Sequence, residues 1–541
     1  MDQVDLNTSR GSIKKLILAL VSIGCTGLLA GCQGDAPPPP KVSVEVYGAR
    51  GDILTAVIET EHCHTEPSVT WSLDNGSTVG TALALTDVQP LTPITVSVSC
   101  GGAHASQTIA PQSVYASQAA FAVLQNGNVL SWGNPVWGGQ TSVAAGISQI
   151  KSIYPSERGF AALLKDGSVR AWGSGYIAFT DPSDVDTATS PLTNIKTIIP
   201  GKTAYFALKQ DGSFAAWGYT RDMTDEGYET PVNDAWFGLS ATKIAALKNA
   251  KDVVGNDGAY AGITETGDVV PFGSTYNGGG EDAWASRPSQ VTQVAATNFD
   301  LVAVQADGNI VSTWGFGYTY PGDFQFVSQV KKVVTNGVVG VALKADGTAM
   351  AFGQAGENEA ADTSALAPYL TGVKDIAATQ TAFAALKTDG TVLAWGDNPR
   401  MGNSLAKMQK ILANVQTIKA TEYAFAALRR DGYVITWGDP ELGGDSSAVA
   451  PNLYDVVSIT ANHYAFAALR KDGTVVTWGM ASKGGDSSPV ASKLNHVRAI
   501  YSTAFGAFLA VKKDGSFVTW GDPWVGGGTA PASLTKIPYD Q

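Results

Sequence analysis

Residues Ala382–Gly396 read AFAALKTDGTVLAWG. Two short apolar runs, AFAAL and TVLAW, flank Asp389-Gly390. Asp-Gly between such runs is a β-hairpin signal, because glycine accepts the positive φ that a tight turn demands. The unit recurs as AFAALRRDGYVITWG at Ala424–Gly438 and AFAALRKDGTVVTWG at Ala465–Gly479. Aligned on the closing glycine, ten copies end at Gly133, Gly173, Gly218, Gly273, Gly315, Gly353, Gly396, Gly438, Gly479 and Gly521. A period near 42 residues belongs to repeat architectures. A third apolar segment precedes each hairpin, as in VVSITAN and VRAIYST. Each unit is therefore expected to be a three-stranded meander. One such sheet cannot bury both faces alone, and radial stacking of many solves this. The fold class predicted is all-β, a β-propeller.

The residue before the closing glycine is tryptophan in eight units and Phe272 or Phe352 in the other two. A ring there is large enough to fill the space between stacked blades. Units four to six are degenerate: GAYAGITETGDVVPFG lacks both the Asp-Gly and the tryptophan. Ten units fit a wide ring, a smaller ring with extra units, or an incomplete arc. The terminal LTKIPYDQ copies the start of a unit such as LTNIKTI. A spare first strand there is what closure by strand exchange would need, and closure leaves no long exposed edge.

Upstream of the repeats the composition changes. Lys14 and Lys15 precede an apolar run that ends Leu29-Ala30-Gly31-Cys32. A basic start, an apolar stretch and small residues at its end make a signal peptide over 1–31. The last four residues resemble the bacterial lipobox, which implies lipidation of Cys32. Residues 32–40 carry four consecutive prolines, an extended spacer. Residues 41–112 hold several short alternating strands, which suggest an immunoglobulin-like sandwich with Trp71 in its core. Cys63 and Cys100 sit at strand ends and are expected to pair at an edge. Four cysteines in all, with none in the last 441 residues, fit export with one disulfide. Residues 113–541 are the propeller.

The chain offers little catalytic chemistry. Its histidines, His62, His64, His104, His463 and His496, form no visible ligand cluster, and in His62-Cys63-His64 adjacent residues of a strand would point to opposite faces. No nucleophile elbow and no phosphate-binding glycine loop is present. The repeated aspartates are hairpin residues without the alternating carboxylates of a calcium loop. GGDSS at Gly443–Ser447 and Gly484–Ser488 reads as a blade-closing turn. No catalytic residue, metal or cofactor is expected, and the chain is read as a non-enzyme. A net charge of −12 repels phosphate backbones, so nucleic acid is not an expected partner.

The pattern AL-DG-V-WG-…-GG resembles the regulator of chromosome condensation repeat. The short units are similar in style to bacterial propellers of that superfamily, such as the propeller-type β-lactamase inhibitor protein. The resemblance covers about four-fifths of the chain and implies a propeller with a protein partner, without naming that partner. Such propellers usually have seven blades, and this chain departs with ten units. Aromatic residues in the loops after each hairpin make the candidate binding face: Trp137, Tyr219, Tyr228, Trp236, Phe237, Tyr318, Tyr320 and Trp524. The expectation is a bacterial envelope lipoprotein, at the outer membrane or cell surface. It is held to the membrane by its lipid and raised on the sandwich as a stalk, and it recognises a protein or glycan. A glycan-cleaving propeller, needing two converging carboxylates, and a scaffold without ligand are the alternatives.

Overall fold

A computed structural model describes residues 38–541 except 141–143, 145, 175–176, 178–189, 222–228, 232–236, 285, 299, 314–327, 338, 354–362, 364–365, 397–411, 529 and 540–541. The expected signal peptide, residues 1–31, and Cys32 lie outside the described residues. Residues from Pro40 to the C-terminus pack as one compact unit.

Ten antiparallel sheets follow one another along the chain, each built from three consecutive strands. Blade 9 is representative: Val456–Ala461, Ala465–Arg470 and Val475–Gly479. Blade 3 alone adds a fourth strand among the described residues, Glu229–Pro231. The first strands of successive blades lie against one another, so they form the inner wall. The middle strand runs from the turn after the inner strand to the Asp-Gly turn. The two kinds of turn therefore mark opposite ends of the ring, here called the belt end and the hairpin end.

Each hairpin is built as its residues demand. Gly473 has φ +78°, and Asp472 accepts from Thr474 N at 2.9 Å and Thr474 Oγ1 at 2.6 Å. The same arrangement recurs at Asp166, Asp211, Asp346, Asp389 and Asp514. These carboxylates serve their own turns. Middle-strand phenylalanine stacks on last-strand tryptophan, as Phe466 on Trp478 at 5.2 Å. Unit five departs from its alignment: Thr313 N donates to Leu301 O at 2.9 Å, and Leu301 N donates to Thr313 Oγ1 at 2.8 Å. Counted from its Asp307-Gly308 turn, Thr313 takes the place Trp478 holds in blade 9, because unit five has one extra residue between its turn and its tryptophan.

The double glycine that follows WG in units 1, 8, 9 and 10 is a clasp between blades. Gly484 has φ +96°, and a Cβ there would stand 2.5 Å from Phe508 of the next blade. Its carbonyl accepts from Trp520 Nε1 at 3.1 Å. Gly138 and Gly443 repeat both features against blades 2 and 9. Gly526 of blade 10 does the same to blade 1: a Cβ would meet Phe121 at 2.7 Å, and Trp132 Nε1 donates to its carbonyl at 3.0 Å. The last blade therefore grips the first as blades 1, 8 and 9 grip their successors, and the ring closes with ten blades.

Closure differs from simple strand exchange. The described residues of the tail form no strand; Val114–Ala116 supplies blade 1's inner strand. The tail instead replaces only the opening residues of a unit. Ile537 N donates to Gly515 O at 2.8 Å, as Val497 N does to Gly473 O at 2.9 Å. Leu534, Ile537 and Tyr539 are buried.

The sandwich has a three-stranded sheet and a four-stranded sheet. Trp71 is buried between them, its Nε1 donating to Ala82 O at 2.8 Å. Cys63 and Cys100 are joined by a disulfide, with Cα atoms 5.9 Å apart. The sandwich is not a free stalk. Its apolar core continues into the seam of blades 1 and 10 through Val114, Leu534 and Tyr539. It lies on the hairpin end of blades 8 to 10: Tyr47 Oη donates to Lys471 O at 2.7 Å, and Glu45 meets Arg498 at 2.5 Å and Lys513 at 2.9 Å. Asp52 meets Lys419 at 2.5 Å. Sequence reading treated the two segments as independent because each has its own strand pattern.

The Arg498 guanidinium and Lys513 hold the Glu45 carboxyl down from the ordinary 4.5 to about 2. A depressed carboxylate contributes stability above its unfolded pKa and loses it as pH falls through its folded one. Docking of the sandwich should therefore weaken between pH 4.5 and about 2. Melting curves across that range should show a loss that Glu45→Gln removes in part.

Candidate functional site

The turns joining inner to middle strands crowd the belt end. At the same place in successive blades stand Gln118, Glu157, Lys202, Asp257, Asn298, Gly337, Gln380, Glu422 and His463, with Ala504 in blade 10. Their backbones are tied from blade to blade. Gln118 N donates to Glu157 O, Glu157 N to Lys202 O, Asn298 N to Gly337 O and Gln380 N to Glu422 O, at 2.9–3.1 Å. Glu422 N donates to His463 O and His463 N to Ala504 O. Phe505 N donates to Gln118 O at 2.9 Å, which carries these ties across the seam of blades 10 and 1. The backbone is thus fixed while the side chain varies from unit to unit. In a repeat scaffold such positions are free to serve recognition, since the fold does not dictate them.

A cavity of about 710 Å³ opens inside this belt. Its polar wall includes Gln118, Glu157, Lys202, Asn462, His463 and Ser502. That volume suits a small ligand or a few residues of a polymer. Lys202 lies 3.0 Å from Asp257 and 4.0 Å from Glu157. Burial raises the Glu157 carboxyl, with Lys202 opposing. His463 Nδ1 stands 3.1 Å from Glu422 Oε1, an ion-pair distance off the line of a hydrogen bond. Burial nevertheless lowers the imidazole, which favours its neutral form. Among the described residues no three ligating side chains gather into a metal site.

His463 of the cavity wall belongs to a run of neighbouring rings. Tyr464, His463, Phe505 and Trp137 follow one another with centroids 6.0, 5.5 and 5.2 Å apart. Lys483 lies over Tyr464 at 5.5 Å and Arg158 over Trp137 at 5.3 Å. Tyr423, one blade further on, donates to Gln380 Oε1 at 2.6 Å.

The loop aromatics predicted as a face divide differently. Tyr219 and Phe237 are 0% and 1% exposed and belong to the cores between blades. Tyr219 extends the last strand of blade 3, and its Oη accepts from Arg158 Nη1 at 3.0 Å. Phe237 packs on Phe272 at 5.8 Å. Tyr219 stays on its strand and packs toward the preceding blade, while Phe237 packs against the following one, so a position after the hairpin did not mean exposure. Trp137 is half-buried against Phe505, and Trp524 is 75% exposed. Tyr228, Trp236, Tyr318 and Tyr320 lie outside the described residues. The belt positions escaped sequence reading because they vary between units, and variation carries no motif. His496 is a backbone device: it holds φ +54° before its inner strand, where other units place Asn, Gln or Asp.

No family model and no curated protein matches the chain. Among solved structures the chain is similar to the ectodomain of the Arabidopsis thaliana receptor kinase ACR4, at 13% identity over 53% of this chain and 94% of that one, with a TM-score of 0.29. It is similar to Prp20p from Saccharomyces cerevisiae at 14% identity, over 70% and 84% of the two chains, with a TM-score of 0.28. Human WBSCR16 matches at 15% identity over 60% and 89%, with a TM-score of 0.27. These likenesses stop at the fold. The repeat signature and the strand order of its own blades make the chain a ten-bladed β-propeller of units resembling those of the regulator of chromosome condensation.

Proposed function

We propose that the chain is an exported binding protein, lipidated at Cys32 and anchored in a bacterial envelope, whose propeller recognises a protein or glycan ligand at its belt end. The observation that carries this reading is the asymmetry of the two ends. The sandwich occupies the hairpin end of blades 8 to 10. The belt end bears the cavity and a ring of side chains that the scaffold leaves free to vary. Beyond the ring, Val136 and Trp524 are 60% and 75% exposed at matching positions of blades 1 and 10. Apolar side chains held out on tight turns are ready contacts for a partner. Acidity, export and the absence of a nucleophile or phosphate loop direct the reading to recognition rather than catalysis.

The test is capture of envelope proteins and glycans by the full chain, beside two variants. Trp524→Asp with Gln118→Arg alters the belt end; Tyr433→Asp alters an exposed residue beside a hairpin turn. The expected result is ligand retained by wild type and Tyr433→Asp and lost by the belt-end variant. Loss with Tyr433→Asp alone would place binding at the other end and overturn the reading.

A further inference from the structure

We propose that the hairpin end of the inner wall, along blades 2, 3, 4, 6 and 7, docks an acidic segment of a partner protein. This surface lies at the opposite end of the ring from the belt and does not depend on it.

The inner strands of blades 2, 3 and 5 to 10 each open with a β-bulge. A bulge leaves one residue without a partner across the ladder. That residue is Lys151 in blade 2, Lys196 in blade 3, Lys331 in blade 6 and Lys374 in blade 7. Blade 4 places Lys251 at the same distance ahead of its belt residue, and blade 5 places Thr292 there. All six are exposed. In blades 8 to 10 the residue is Gln416, Val457 or Arg498, and there the sandwich leaves it half-buried or buried.

The covered arc shows what the position takes. Arg498 holds the Glu45 carboxylate, and its carbonyl accepts from Gly48 N at 2.9 Å. Val457 O accepts from Thr55 Oγ1 at 3.1 Å. Close by, Lys419 and Lys471 hold Asp52 and Glu59. The sandwich edge therefore meets these bulges with carboxylates and with N–H or O–H donors together.

In the open arc the cations lack that counterpart. Among the described residues, no carboxylate stands at ion-pair distance from Lys151, Lys196, Lys251, Lys331 or Lys374. Lys251 reaches only a backbone carbonyl, Val291 O at 3.2 Å. The acids next to the arc are engaged: Asp375 pairs with Lys332 at 3.2 Å, and Asp252 accepts from Val253 N at 2.8 Å. Burial, with the Arg430 guanidinium beside it, lowers the Lys374 ammonium, and an arriving carboxylate would relieve that crowding.

A protein segment fits this arc better than other polyanions. A net charge of −12 repels a chain carrying a phosphate at every link. The arc is built of lysine point charges, without the arginine fork that grips phosphate in two places. The partner already seated on the equivalent positions is a protein edge, and it uses a main-chain N–H as well as carboxylates.

The test titrates the full chain with a fluorescent peptide of alternating glutamate and threonine, with its glutamine counterpart, and with a soluble oligo-uronate. The glutamate peptide should bind, more weakly as salt rises. Lys151→Gln with Lys196→Gln and Lys374→Gln removes exposed ammoniums of the arc and should weaken binding about tenfold. Lys165→Gln with Lys209→Gln and Lys344→Gln removes as many from hairpin turns at the same end, where each lysine shares its turn with an aspartate. That variant should bind like wild type, as should Trp524→Asp with Gln118→Arg at the belt end. No binding of the glutamate peptide, or equal binding of the glutamine peptide, would overturn the proposal. Equal losses in the two lysine variants would assign binding to the general field of that end and overturn the arc. Binding of the oligo-uronate in place of the peptide would make the ligand a polysaccharide and overturn the protein partner. Each of these outcomes leaves the belt-end reading as it stands.

Discussion

Alanine at Gly484 destabilises the junction of blades 9 and 10 by about 2–5 kcal/mol. Three requirements meet at this residue. Its φ of +96° is one that L side chains rarely adopt, at about 1–2 kcal/mol. A Cβ would stand 2.5 Å from Phe508, a buried ring stacked on Trp520 at 5.2 Å, and crowding a packed core costs about 1–3 kcal/mol. The carbonyl of the same residue takes the Trp520 indole proton, so displacing the backbone strands a buried donor. Gly76 provides the control. It has φ +80° with open space around it, so Gly76→Ala should show the conformational strain alone. Denaturant unfolding of both variants, with hydrogen exchange read at blades 9 and 10, separates the contributions. If the two alanines cost the same, the clasp is not what holds neighbouring blades.

The clasp shows what was readable in the residues and what was not. The Asp-Gly hairpins, the three-strand unit and the stacking tryptophan follow from short-range rules, because turn geometry and strand alternation act within a dozen residues. The second half of the motif, the paired glycines, was legible only as a turn. Its role depends on Phe508, Phe466 or Phe121 of the next blade, and a contact between units leaves no trace within one unit. Blade number was open for the same reason, since ring closure is a property of the first and last units together. The binding face was misplaced at Tyr219 and Phe237 because an aromatic after a hairpin fills either solvent or the next interface. Composition does not distinguish these outcomes. The belt ring lay furthest from view: ten residues of eight types share a place only once the backbone puts them there.

Removing residues 533–541 should loosen the seam and the sandwich together, by roughly 4–8 kcal/mol. The tail buries Leu534, Ile537 and Tyr539, each worth about 1.5–3 kcal/mol when fully withdrawn from water. It also joins parts distant in sequence. Gln125 of blade 1 donates to Lys536 O at 2.7 Å, while Ile537 N bonds the hairpin of blade 10. Ala110 N donates to Tyr539 O at 2.9 Å, and Tyr539 Oη donates to Gly48 O at 2.7 Å, both within the sandwich. A closed ring needs its ends joined, and here the joint is also the dock for a second domain. Hydrogen exchange should therefore rise in Val114–Ala116 and in Lys41–Tyr47 in the same truncated protein. Tyr539→Phe keeps the ring and loses one buried hydrogen bond, so it should cost about 1 kcal/mol and expose neither strand. If truncation frees the inner strand of blade 1 while the sandwich stays protected, the ion pairs of Glu45 and Asp52 hold the sandwich without the tail. The closing segment would then serve the ring alone.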